Sequence, residues 1–387
     1  MAHARGDEPL PVQSACPGRG FLPEQDPCSR LPPAFAPWDE LGSELPHLLA
    51  AGRAREKIEQ LPLLDPQHLE DPRHLERAMM LLSFFGNSAV WEKGRQHPQL
   101  SFPRSVAVPW VKVARQLGRP PVLAYTSHAL NNWQRIDPEG PIALGNLRVL
   151  QTFLGGLDES WFILVHVELE ARAVPISRAA VAVQEAVVSD KPALLLQQLR
   201  LIAEAQQEME RTLLRMTERC EPSIFFSRIQ PFLHGFLEMP VLYEGVEEFT
   251  GQRQPFAGAS AAQSVLVPLL DAVLGVRHVQ DTLHQYLLEL RRYVPPAHRA
   301  FLESVERGPS VRDYILSRQT PELAEAYNGC LEGLGRFRQK HMELTARYIV
   351  QQAREQAPSQ GDKGTGGTPF MHYLKKHRDE THRYLIR

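Results

Sequence analysis

From Thr320 to Gln352 the chain reads TPELAEAYNGCLEGLGRFRQKHMELTARYIVQQ. Taking positions alternately four and three apart gives Leu323, Tyr327, Cys330, Leu334, Phe337, His341, Leu344 and Tyr348, an apolar seam at helical spacing. Thr320-Pro321 supplies an N-cap with proline in the first turn. Only His341 is polar on that seam. A buried imidazole must satisfy its nitrogens, so His341 is either a hydrogen-bonded core histidine or a ligand to a metal. Arg338, three residues earlier, suits an anionic group lying beside whatever His341 holds.

Working outward, Leu195, Leu199, Ile202, Met209, Leu213 and Met216 form the core stripe of a second long helix. Leu266 to Leu290 predicts a third, stopped by Pro295-Pro296. The half of the chain from residue 156 to 387 therefore reads as a large all-helical domain. Upstream, short helical patterns (Ile58, Leu61; Leu75, Met79, Leu82) are broken by Pro62 and Pro66, and Gly155-Gly156 offers a junction. Residues 38–155 are read as a smaller, mostly helical N-terminal domain. Residues 1–37 hold eight of the 32 prolines and read as an extended or disordered arm. The Gly-rich segment at about 357–368 reads as a flexible loop before a last basic helix. The run Trp161-Phe162-Ile163-Leu164-Val165-His166 has strand propensity, yet Phe162, His166 and Leu169 fit one helical face.

Composition narrows the function classes. With 387 residues, 43% apolar and 23% charged, the chain is an ordinary globular protein. A net charge of −2 advertises no nucleic-acid or anionic-membrane partner. The four cysteines lack zinc-type spacing and favour reduced thiols, so a cytoplasmic location is expected. No stretch approaches the roughly 18 apolar residues of a membrane span. H-x-E occurs at His166 and His341 without a downstream P-C-x-x-C, which argues against a zinc deaminase. The P-loop, G-x-G-x-x-G, H-E-x-x-H and G-x-S-x-G patterns are absent.

A set of strings in fixed order is more specific: Val106-Ala107-Val108-Pro109, Pro121-Val122-Leu123-Ala124-Tyr125, Phe225-Phe226-Ser227 and Val241-Leu242-Tyr243-Glu244-Gly245. They continue with Phe256-Ala257-Gly258-Ala259-Ser260-Ala261, Arg291-Arg292-Tyr293-Val294-Pro295-Pro296-Ala297-His298-Arg299 and Lys363-Gly364-Thr365-Gly366-Gly367-Thr368. In these the chain, from about residue 40 to its end, resembles the indoleamine 2,3-dioxygenase family. The resemblance implies a small N-terminal domain over a larger helical one with haem b between them. It implies His341 as proximal ligand to the haem iron, Arg338 at a haem propionate, and an open distal face for O₂. Tyr125 matches a pocket tyrosine, His128 a position often held by cysteine, and His166 the distal position that is serine in the mammalian enzymes. Phe225 and Phe226 match the aromatic pair around the substrate, and Ser260 and Ala261 the loop over the haem edge. Thr368 matches the mobile loop that closes on substrate.

The implied reaction inserts O₂ across the indole C2–C3 bond, turning L-tryptophan into N-formylkynurenine, in a protein expected to be a monomer. His166 would then hydrogen-bond the indole N–H or oxygen. One position departs from the family: Gln230 stands where an arginine normally pairs with the substrate carboxylate. A neutral amide cannot make that charge-assisted fork, a difference of about 1.5–3 kcal/mol. Arg228, two positions away on a helix, would face the opposite way. A different indole as substrate, or a non-catalytic haem-binding regulator, are the alternatives this departure leaves open.

Overall fold

A computed structural model describes residues 18–356 and 370–387. Helices dominate it, and the described strands are two residues long. Pro72–Trp91 is the central helix of the N-terminal part. Asp71 caps it by accepting from the Arg73 N–H at 2.8 Å, and nearly every residue from Leu75 to Trp91 is buried. Around it pack Ala36–Ala50, Ala54–Glu59 and Arg104–Gln116. A parallel pairing of Ser101–Phe102 with Leu242–Tyr243 ties this part to the later chain.

The Pro-rich stretch behaves differently from its composition. From residue 18 onward it packs on the body, with Phe21, Leu22, Leu31 and Phe35 buried and the Leu31 N–H donating to Asp39 Oδ2 at 2.7 Å. Four apolar residues spaced irregularly among prolines carry no periodic signal, so composition alone misreads them. One apolar cluster includes Leu31, Phe153, Trp161, Phe225 and Tyr348, and thus runs across the Gly155-Gly156 junction.

The helix Leu157–Arg172 settles the ambiguous Trp161 run as helical. It is buried on most sides, which is why its sequence looks like a strand. Gly155 and Gly156 take φ of 71° and 94° just before it. The buried Glu159 accepts from the backbone N–H groups of Phe153, Leu154 and Gly155 at 2.6, 3.0 and 3.0 Å. Burial lifts its pKa to about 7, and those three donors hold it down from higher still. Glu159→Ala leaves the three donors without their acceptor and is expected to cost about 3 kcal/mol. Chemical denaturation checks this; an unchanged midpoint would contradict the role.

The predicted long helices appear as Pro192–Leu214 and Pro321–Thr345, packed together, with Phe370–His382 laid against the second. Leu195, Leu199, Ile202, Met209 and Leu213 are all buried, and Met216 follows a bend at Arg215. The helix predicted over Leu266 to Leu290 is two helices, Leu266–Leu274 and Thr282–Leu290. Gly275 ends the first at φ 68°, and Asp281 starts the second by accepting from the His284 N–H at 3.0 Å.

Candidate functional site

On the Pro321–Thr345 helix, Leu323, Tyr327, Cys330, Leu334 and Phe337 are buried, while His341 and Leu344 keep partial exposure before Tyr348 is buried again. The seam therefore opens at His341. Its ring has no hydrogen-bond partner among the described residues. Burial, with the field of His166, lowers its pKa to about 4. It is a neutral imidazole with a free lone pair.

His166, on Leu157–Arg172, is near enough for its charge to act on His341. Its Nδ1 lies 2.8 Å from the Phe162 carbonyl oxygen, which only accepts, so Nδ1 carries the proton and Nε2 is an acceptor. Burial lowers its pKa as well. Phe162 stands one turn earlier, its ring 4.7 Å from His166 and 4.6 Å from Phe225, and Phe225 meets Tyr348 at 5.8 Å. These rings form a continuous aromatic wall running from His166 to Tyr348. Phe226 is buried next to Phe225.

Three π-helical turns deliver the site's side chains: Thr126–Leu130, Phe225–Ile229 and Ala346–Val350. The first carries His128, whose Nε2 is buried without a partner and whose pKa falls to about 3 through burial and His166. Tyr125, just before it, donates from its hydroxyl to Glu170 Oε1 at 3.1 Å, and Ser264 Oγ donates to the same oxygen at 2.7 Å. Burial raises Glu170 to about 7, against the pull of those two donors.

The Tyr125 N–H donates to Gln263 Oε1 at 2.8 Å, and Gln263 Nε2 donates to the Gly258 carbonyl at 2.9 Å. Gly258 lies so close to the Gly235 backbone that no Cβ fits. The Ser260–Ser264 loop is thus locked to the Tyr125 segment. Ser260 Oγ accepts from the Ala262 N–H at 3.2 Å, and Ala261 is exposed.

Gln230 is buried, with no hydrogen-bond partner for its amide among the described residues, while Arg228 is exposed as its helical offset predicts. Arg338 is buried and already engaged: Nη2 donates to Asp271 Oδ2 at 2.6 Å and Nη1 to Thr381. Its Nε–H and second Nη1–H have no described partner. Thr368, and the 357–368 loop with it, lie outside the described residues. Glu170 and Gln263 were missed by the sequence reading. The spacing of His166 and Glu170, one helical turn apart, was the available signal.

The same environment sets acid stability. His128, His166, His234, His298, His341 and His377 all have lowered pKa values, with His234 and His298 near 4 and His377 near 3. Unfolding lets them take up protons below their ordinary value near 6.5. Glu159 and Glu170, raised to about 7, act in the opposite sense between pH 4.5 and 7. Six imidazoles outweigh two carboxyls, so stability of the haem-free chain is expected to fall as pH drops from about 6.5 to 4. Thermal midpoints across that range check the sign.

The family model for indoleamine 2,3-dioxygenase matches residues 15–384. The chain is 37% identical over 382 residues to indoleamine 2,3-dioxygenase 2 of Mus musculus, covering 95% of this chain and 93% of that protein. It is 35% identical over 378 residues to the Homo sapiens protein of the same name, covering 94% and 92%. A 6-hydroxytryptophan 2,3-dioxygenase of Fusarium equiseti is 32% identical over 384 residues, covering 93% and 94%. The chain belongs to the indoleamine 2,3-dioxygenase family. Members are haem-dependent oxidoreductases that act on indoles with O₂, and this chain is an enzyme of that class. No helix among the described residues is long and apolar enough to cross a membrane.

Proposed function

We propose that the chain holds haem b through His341 and opens the indole ring of L-tryptophan to N-formylkynurenine. The observation that carries this reading is the neutral, unpartnered His341 imidazole on a helical core seam, within electrostatic reach of His166. The residues present fit the group: a free nitrogen lone pair for the iron, and on Arg338 two unengaged N–H groups for a propionate. When bound, haem iron supplies the activation of O₂.

The chain's own residues place the indole and keep water out. Phe162, Phe225, Phe226 and Tyr348 give an indole apolar walls. His166 Nε2, being an acceptor, takes the indole N–H rather than donating to oxygen. Glu170 holds the Tyr125 hydroxyl and Ser264, so the distal helix, the Tyr125 segment and the Ser260–Ser264 loop stay in one geometry. Ser260 and Ala261 are read as contacting the substrate, and Thr368, outside the described residues, keeps only the substrate-contact role that the resemblance implies. The buried thiols of Cys220 and Cys330 fit a reducing, cytoplasmic setting, and the chain is read as a monomer.

A second reading, a different indole as substrate, is favoured by Gln230, a buried neutral amide where the family has arginine. Reduced, haem-loaded protein given O₂ and L-tryptophan is expected to yield a ring-opened product heavier by two oxygen atoms. Turnover of tryptamine but not L-tryptophan would establish the second reading, and no product from any indole would overturn both.

A further inference from the structure

Away from that site, the Phe370–His382 helix presents His377 and Glu380 one turn apart toward His278 on the loop between Leu266–Leu274 and Thr282–Leu290. One ligand atom from each lies within 4.8 Å of the others. His278 Nδ1 is 2.6 Å from Glu380 Oε2, and the His278 and His377 rings stack with centroids 3.9 Å apart. On the other side of His278, Nε2 lies 3.1 Å from Asp271 Oδ2. The ring nitrogens of His377 have no hydrogen-bond partner among the described residues, and Asp271 Oδ1 is buried and unpartnered.

We propose that His278, His377 and Glu380 form a binding site for a divalent transition ion of the zinc class, with Asp271 as the carboxylate that orients His278. Two imidazoles and a carboxylate are a borderline-soft donor set, and a fourth position is left for water. Metal-bound histidines characteristically donate their other N–H to a carboxylate, the relation Asp271 already has to His278 Nε2. Bonds of about 2.1 Å in a tetrahedron need ligand atoms about 3.4 Å apart, so the site closes by roughly an ångström. Rotation of the His377 ring out of its stack supplies that movement.

With Nε2–H given to Asp271, the Nδ1 lone pair of His278 is the one turned toward the ion. The nearby charges are Arg338 and Lys376 against Asp271, Glu380 and Asp281, so the carboxylates outnumber the fixed cations. Asp271 also accepts from Arg338, so the ion would pin the last helix to the helix that carries His341.

The test uses the full haem-loaded chain, with iron counted separately. Dialysis against Zn²⁺ and then metal-free buffer is expected to leave about one zinc per chain, with an absorption-edge spectrum showing nitrogen and oxygen ligands and no sulfur. Affinity is expected to weaken at least tenfold in His377→Ala and in Glu380→Gln. His377→Ala removes a ring that makes no described hydrogen bond, and an unchanged Soret band and helical circular dichroism confirm its fold. Background zinc in the unmodified chain, sulfur in the ligand shell, or equal binding by folded His377→Ala overturns the site.

Discussion

His341→Ala protein is expected to purify without a normal Soret band and to lose more than about 100-fold of its ring-opening activity. Loss of groups that merely support a metal ligand typically costs 10–100-fold, and here the ligand itself goes. The fold should survive. The ring makes no described hydrogen bond, the position is partly exposed, and alanine favours a helix more than histidine does. Haem-free His341→Ala should therefore melt at or slightly above the unmodified chain at pH 7, and lose less stability on acidification, because one suppressed protonation is gone. An unchanged Soret band in this variant would remove the foundation of the proposed chemistry.

Gln230→Arg carries the second large effect. If the substrate carboxylate lies against residue 230, a guanidinium there adds a charge-assisted fork worth about 1.5–3 kcal/mol, or roughly tenfold to more than a hundredfold in KM for L-tryptophan. Tryptamine, which lacks the carboxylate, should gain nothing. Without substrate the new cation is buried with no partner, so the variant should be less stable than the parent until tryptophan is added. A KM ratio of tryptophan to tryptamine that does not move would show that the carboxylate is seated elsewhere, or that the physiological indole has none.

Much of this was legible in the residues because helical periodicity is a local signal. The seam from Leu323 to Tyr348 and the stripe from Leu195 to Leu213 needed only spacing, and the seam exposed His341 as its one polar member. Failures arose where distant segments decide. Asp271, fixed in space by Arg338 and His278, shows that the buried guanidinium is partly consumed, which no spacing within the 320–352 stretch could reveal. The packing of Phe21 and Leu31 depends on surfaces more than a hundred residues away in part, and the Trp161 run looked like a strand because a helix buried on most sides loses its polar face. Leu266 to Leu290 carried its own warning in Gly275 and Asp281, a C-cap and an N-cap inside one apolar pattern. His278 lies about a hundred residues from His377 and Glu380, and only the tertiary fold brings it to them.

The three wide turns at Thr126–Leu130, Phe225–Ile229 and Ala346–Val350 have a bearing on how such a protein can change. A π turn holds one residue more than the α-helical turn it replaces, and that surplus swings everything after it by about 100° around the axis. Excising a single residue from one of them would leave a regular helix and an intact hydrogen-bond ladder, yet aim a different side chain at the substrate. Specificity here is thus open to revision by deletion as well as by substitution, a route along which the chamber is remodelled while its scaffold stays whole.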